Sequence, residues 1–381
     1  MSILFFKNIK CAIIYLVNNV NNKIKNILNK LIENGYEAYV VGGFVRDYLL
    51  GRGSYDVDIS TSAEPKETKE IFNLSNSNDE NYGHVFFKDS LYNYDITTFR
   101  KENKYENRRP VDIEYIEDIK EDILRRDFTI NSLFMDIDGN IHDIVNGKED
   151  LENKIIRVVG SINDKMVDDP LRMLRAIRFA SLLDFTIEPS LYNYIRQNKQ
   201  LIRTLSYTRK KEELEKIFKG QNKLKGIELI KDLKLESELE IELPDNIEFC
   251  ENPLGIWAQI TVSDEYPFKK SDEDKINDIK KILNYGIIDN IVLYEYGLYP
   301  CIIAGEILGV SRTNISEIYK NMPIYSSKDI ALKGDDIIEI LGIEPSEKIK
   351  DIQFDLVINI LNNNLKNDYE ELRQFLLENW R

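Results

Sequence analysis

Strand signals in this chain of 381 residues stop near Asn153, and the remainder reads as helix almost to Arg381. No other feature limits the fold as much. Strands gathered in one stretch and helices in the next give an α+β plan, with a mixed sheet and its helices at the N-terminal end and an all-helical remainder. Single cores rarely grow beyond roughly 250 residues, so several compact units are expected. Breaks in the pattern put them at 1–153, 154–225, 226–322 and 323–381. The acidic Leu239 to Pro253 stretch is the best linker, and Asn321-Met-Pro323 is a second break.

Within the first stretch, Ile24, Ile27, Leu28, Leu31 and Ile32 repeat with helical spacing from about Val20 to Asn34, and Gly35 closes the pattern. Ala38-Tyr-Val-Val41 predicts a strand that runs into Gly42-Gly43 and a helix ending near Leu50. Asp56 to Ser60, Val85 to Lys88 and Tyr94 to Phe99 are further strands, and Asn73 to Asn81 reads as polar loop.

Composition removes several function classes. With 43% hydrophobic and 31% charged residues the chain is an ordinary folded globule. The apolar run Cys11 to Val17 falls far short of the roughly 20 residues that span a bilayer, so no membrane partner is expected. Cys11, Cys250 and Cys301 show no paired spacing, which argues against a zinc site or a disulfide framework and for a reducing, cytoplasmic setting. A net charge of −15 looks wrong for an RNA-binding protein, yet the charge is unevenly spread. Lys154 to Lys219 holds 14 basic and eight acidic residues, whereas Glu236 to Glu251 holds seven carboxylates and no base. The average therefore does not exclude a nucleic-acid partner.

Asp56 and Asp58 stand two apart on a strand, so both carboxylates leave the same face. Hard oxygen ligands at that spacing can share Mg²⁺ with substrate phosphates, although a strand-end turn with solvated acids has the same spelling. Just upstream, Gly43 leaves room for a triphosphate to approach the N–H groups at a helix start, and Arg46 adds a charged contact. A tight strand-to-helix turn would also use that glycine pair. Asp95 is the third carboxylate; on a neighbouring strand it could take the proton of an RNA 3′-hydroxyl as that oxygen attacks an α-phosphate.

Five stretches carry a family resemblance: Gly42-Gly-Phe-Val-Arg-Asp47 with Leu49-Leu-Gly51; Asp56-Val-Asp58; Thr98-Phe-Arg100 with Arg108-Arg-Pro110; Arg125-Arg-Asp-Phe-Thr-Ile-Asn131; and the run from Asp169 to Ala180. In this order they resemble the class II tRNA nucleotidyltransferases and bacterial poly(A) polymerases of the DNA polymerase beta-like superfamily, over roughly residues 36 to 220. The resemblance implies a polymerase-beta-like head, Mg²⁺ at Asp56 and Asp58, and a ribose-sensing role for Arg126 and Asp127. An adjacent Arg and Asp can address a phosphate and a 2′-hydroxyl; a salt bridge within the head is the other reading. Asp168 stands where the family usually has Glu. The Ser206 to Phe218 stretch resembles the family's helix-supporting motif, and Ser327 to Ile343 resembles the tail of Gram-positive-type CCA-adding enzymes.

Asp169 and Arg172, three apart, can face one target together. Cytosine and adenine each present an amino donor beside a ring-nitrogen acceptor. A carboxylate that accepts and a guanidinium that donates fit both bases, and uracil and guanine reverse the pattern. Asp169 before Pro170 is also a helix cap. Arg175 and Arg178 spiral away from Arg172, and reach triphosphate or brace the head. The expected activity is addition of CCA to the tRNA 3′ end from CTP and ATP. Poly(A) synthesis, or addition of CC or A alone, is the alternative, and a homodimer is left open. His84 and His142, the only histidines, are expected to be structural.

Overall fold

The computed structural model describes residues 22–74, 83–106 and 109–380. The Cys11 to Val17 run, most of the Asn73 to Asn81 loop and Arg108 lie outside them. The chain divides into two compact units, Met1–Glu238 and Leu239–Arg381, with the boundary at the start of the acidic stretch.

In the first unit, α1 (22–33) buries Ile24, Leu28 and Leu31 and leaves Ile32 on its exposed side. It ends at Gly35, whose φ of +90° suits a residue without a Cβ. Next come β1 (Ala38–Val41), α2 (Gly42–Leu49), β2 (Asp56–Thr61), α3 (Pro65–Phe72), β3 (His84–Lys88) and β4 (Asn93–Thr98). A hairpin of β5 (Arg100–Glu106) and β6 (Arg109–Tyr115) leads into α4 (Ile119–Leu124). Two short strands, β7 (Phe134–Met135) and β8 (Ile141–His142), complete a six-stranded sheet in the order β3-β4-β2-β1-β7-β8. Only the β2–β4 pair is parallel.

Alternation decides which face of this sheet carries chemistry. Val57 and Ile59 of β2 and Tyr94 and Ile96 of β4 are buried on one side, which sends Asp56, Asp58 and Asp95 to the other. Val41, Phe99, Ile119, Ile123 and Phe134 form a buried cluster between the sheet and α4.

After α5 (Gly147–Glu152), β9 (Ile155–Ile156) and α6 (Ile162–Asp168), helix α7 (Leu171–Leu183) begins one residue beyond Pro170. Asp169 still caps it, its Oδ1 accepting the Leu171 N–H at 3.2 Å. Met173, Leu174, Ala176, Ile177 and Ala180 bury the inner face of α7. It ends at Asp184 with φ +60° and is followed by β10 (Thr186–Ile187), α8 (Pro189–Gln197), α9 (Tyr207–Phe218) and α10 (Lys223–Asp232). Gly226 lets α10 approach closely, since a Cβ there would meet Ile217 Cγ2 at 2.4 Å and Ser181 Oγ at 3.0 Å. The expected all-helical remainder is helical apart from two small ladders, β9 with β10 and Ile241–Glu242 with Thr261–Val262.

The second unit is built on Lys270–Tyr285, packed against Pro253–Gln259 and Leu298–Leu308. No described helix is long and apolar enough to cross a membrane.

Candidate active site

The parallel register of β2 and β4 sets Asp58 opposite Asp95 and Asp56 opposite Asn93. Three carboxylates thus gather on the open face of the sheet. Burial pushes the Asp58 carboxyl above its ordinary value. Arg126 and the Gly43 N–H pull it back, while Asp95 and Asp56 push it up further. Asp56 is exposed, and its Oδ1 accepts Asn93 Nδ2 at 2.8 Å.

Gly42 makes this arrangement possible. Its φ is +70°, and a Cβ there would lie 2.9 Å from Asp58 Oδ2. Gly43 is less constrained, because a Cβ would meet only Arg46 Nη2, at 3.6 Å. The glycine pair therefore serves first to bring the start of α2 over the carboxylates.

A cavity of about 710 Å³ opens over this face, a size that suits a small-molecule substrate. Asp58, Asp95, Gly43, Arg46, Arg126, Asp127, Asp169, Arg172 and Arg175 all line it. Asp56 and Arg178 are not in its wall. Arg178 Nη1 binds Glu213 Oε1 on α9 at 3.0 Å.

The arginines are held in place. Arg46 forms a fork with Asp47, with Nε and Nη2 each 2.9 Å from a carboxylate oxygen, and its Nη1 donates to Asn131 Oδ1 at 2.7 Å. Arg125 and Arg126 converge on Asp122, which is fully buried; burial alone would raise that carboxyl, but Arg126 and Arg125 hold it below the usual range. Arg172 Nη1 donates to the Lys165 carbonyl at 2.7 Å.

Asp127 pairs with Arg175, whose Nε lies 2.7 Å from Asp127 Oδ2. Its carboxyl would be raised by burial, yet Arg175, the Phe128 N–H and Asn131 hold it low. The Phe179 ring carries three guanidinium groups: Arg178 at 4.4 Å from its centre, Arg46 at 5.3 Å and Arg175 at 5.5 Å.

His84, Arg100, Arg125, Asn131, Phe179 and Arg209 also line the cavity but were not singled out as site residues in the sequence. Asn131 and Arg125 sit inside the stretch that carries the resemblance, and Arg209 lies in the helix-supporting motif. A lone histidine such as His84 gives no spacing to read.

The residues fit a divalent cation. No three described His, Cys, Asp or Glu residues form a ready cage, but Mg²⁺ takes one or two carboxylates and completes its shell with substrate and water oxygens. Asp58, raised first by burial and further by Asp95 and Asp56 even with Arg126 beside it, would be relieved by a cation on that face.

An acidic sheet face beneath an arginine-lined cavity defines a nucleotidyltransferase head. Sequence comparison agrees: residues 38–157 match the Poly A polymerase head domain, 184–240 the probable RNA- and SrmB-binding site of polymerase A, and 270–376 a putative tRNA nucleotidyltransferase domain 2. The CCA-adding enzyme of Ligilactobacillus salivarius is 33% identical over 96% of this chain and 98% of its own length. That of Pediococcus pentosaceus is also 33% identical, over 90% of this chain and 94% of its own. The crystal structure of the Bacillus stearothermophilus CCA-adding enzyme in complex with CTP superposes with a TM-score of 0.82 at 26% identity, covering 94% of this chain and 96% of that one. The chain belongs to the CCA-adding enzymes, the class II tRNA nucleotidyltransferases.

Proposed function

We propose that this protein adds C, C and A in turn to the 3′ end of tRNA, taking CTP and ATP as substrates and using its own side chains in place of a template. The observation that carries the reading is the convergence in one cavity of Asp58 and Asp95 from the sheet with Asp169 and Arg172 from the start of α7. Chemistry and base choice then act on a single bound nucleotide.

In this reading the RNA 3′-hydroxyl gives its proton to Asp95 as its oxygen bonds to the α-phosphorus. The bond from that phosphorus to the bridging oxygen of the β-phosphate breaks, and pyrophosphate leaves. Mg²⁺ held by Asp56 and Asp58 would supply charge neutralisation for the phosphate oxygens. Arg46, Arg126 and Arg175 draw the triphosphate into the cavity, with Gly43 leaving its approach open, and Arg178 steadies α7 through Glu213. Arg126 and Asp127 address the ribose, with Asp127 held in place by Asn131 and Arg175.

Base choice follows from hydrogen-bond polarity. Asp169 Oδ1 accepts Leu171 N–H and lies 3.5 Å from Arg209 Nη1, while its Oδ2 has no hydrogen bond among the described residues. That oxygen suits an amino group of C or A, with Arg172 donating to the ring nitrogen. Exchanging the pair for residues of reversed polarity should raise use of UTP or GTP relative to CTP in single-nucleotide assays. Equal loss of all four nucleotides in Arg172→Ala would instead assign Arg172 to phosphate.

The basic Lys154 to Lys219 stretch is suited to the tRNA backbone, and folded A-form stems offer phosphates and 2′-hydroxyls more readily than base edges. We assign residues 1–153 to catalysis, 154–225 to nucleotide selection, and 226–322 and 323–381 to holding tRNA. Buried free thiols at Cys250 and Cys301 suit a reducing cytoplasm.

Because 38–157 and 184–240 match models named for poly(A) polymerases, product length is the deciding experiment. With Mg²⁺, CTP and ATP, a tRNA lacking its 3′ end should gain three nucleotides and stop, and an unstructured oligonucleotide should be a poor acceptor. Long A tracts on either acceptor would overturn the reading in favour of a poly(A) polymerase.

A further inference from the structure

His84 lies on β3 opposite Thr97 of β4, on the face that carries Asp95. Its Nδ1 is 3.0 Å from Asp95 Oδ1 and 3.1 Å from Thr97 Oγ1, and its Nε2 is 3.1 Å from Arg100 Nη1. A guanidinium only donates, so Nε2 must accept from Arg100 and the ring proton must sit on Nδ1. That N–H faces the Asp95 carboxylate, with the Thr97 hydroxyl as a second acceptor. Arg100 is itself fixed, being buried and donating its backbone N–H to Asp122 Oδ1 at 3.4 Å.

We propose that His84 is a positioning residue for the transfer reaction: Arg100 selects its Nδ1–H tautomer, and that N–H ties down Asp95 Oδ1 so that Oδ2 alone is presented to the attacking 3′-hydroxyl. Asp95 Oδ2 has no hydrogen bond among the described residues. Asp95 and His84 side chains are 38% and 36% exposed, so without the imidazole the carboxylate would rotate freely and present either oxygen at many angles. Attack geometry is sensitive at this scale, where a displacement of about 1 Å can cost roughly 100-fold in rate. The inference rests on the reading of Asp95 as proton acceptor, and it adds a second group that sets how well Asp95 performs.

The test uses the full-length protein with a tRNA acceptor lacking its 3′ end, labelled CTP and Mg²⁺, with folding of each variant checked by circular dichroism. Asp95→Asn comes first. If it turns over at the wild-type rate, the proton acceptor is elsewhere and the reading of Asp95 fails together with this inference. With Asp95→Asn inactive, His84→Ala should lower kcat about 10- to 100-fold and leave KM for CTP and tRNA within about twofold. His84→Asn, which keeps a donor near the place of Nδ1, should recover most of that loss. His84→Gln, which puts its amide near the place of Nε2, should not. Unchanged kcat in His84→Ala, a fall in kcat matched by a proportional rise in KM, or equal recovery by Asn and Gln would overturn the positioning role while leaving Asp95 in place.

Discussion

Replacing Asp58 with Asn should abolish nucleotide addition and at the same time make the metal-free protein harder to unfold. In the proposed reaction Asp58 would help to hold the cation that neutralises the transferring phosphate, so its loss should remove several kcal/mol of transition-state stabilisation, a fall in kcat of about 10³-fold or more. The stability change has the opposite sign. Burial and the neighbouring Asp95 and Asp56 raise the Asp58 carboxyl in the folded state, so ionising it opposes folding. The cost is absent below the unfolded value, near 4, and grows as pH rises through the raised folded value. At neutral pH without divalent ions the Asn variant is therefore expected to melt higher than the wild type. Added Mg²⁺ should raise the wild-type melting temperature and leave that of Asp58→Asn unmoved. A variant that keeps its rate, or still gains stability from Mg²⁺, would remove Asp58 from the metal site.

Asp127→Ala should destabilise the first unit by about 3 kcal/mol. The side chain is 9% exposed and pairs with Arg175 across 48 residues of sequence, so its removal strands a cation against α7. Arg175 is 31% exposed, and partial access to water keeps the loss near the lower end of the range for breaking a buried pair. Arg175, Phe128 N–H and Asn131 hold the Asp127 carboxyl low in spite of its burial. Its contribution is thus fully present above the unfolded value and lost as pH falls through the lower folded value. The stability gap between wild type and Asp127→Ala should narrow in acid. Both tryptophans, Trp257 and Trp380, lie in the second unit. Indole fluorescence should report an unchanged transition while circular dichroism shows the first unit unfolding earlier. An unaltered circular dichroism profile at pH 7 would mean that the pair contributes little.

The strands at Ala38–Val41, Asp56–Thr61, His84–Lys88 and Asn93–Thr98 were legible as short runs rich in β-branched and aromatic residues, and in Asp56–Thr61 and Asn93–Thr98 alternation also sends Val57, Ile59, Tyr94 and Ile96 into the core. The hairpin Arg100–Glu106 with Arg109–Tyr115 was not legible. Arg-Lys-Glu-Asn-Lys-Tyr-Glu has no apolar alternation, and its order is visible only in the backbone ladder to the next strand. Two-residue strands such as Phe134–Met135 are too short to show a period.

In the site, the spacing of Asp56 and Asp58 announced a shared face, whereas Asp95 was a neighbour only by supposition until the parallel register set it opposite Asp58. Asp127 read as a partner of the ribose or of a salt bridge, and the fold supplies the salt bridge directly, through Arg175. No local pattern could announce it, because its two ends belong to different structural elements. His84 was invisible for the same reason, its three partners being fixed by sheet pairing and by the entry to the hairpin.

Phe179 has a consequence for how the cavity handles salt. Three guanidinium groups are spaced around one uncharged ring. At physiological ionic strength, charges more than about 8 Å apart are largely screened, so the pull of this cluster on an incoming polyanion weakens as salt rises. Contact of a guanidinium plane with a ring depends much less on ionic strength than the pull of one exposed charge on another. The arginines therefore keep their spacing when their long-range attraction is damped. Capture and recognition become separable, the first varying with the medium and the second built into the shape of the protein.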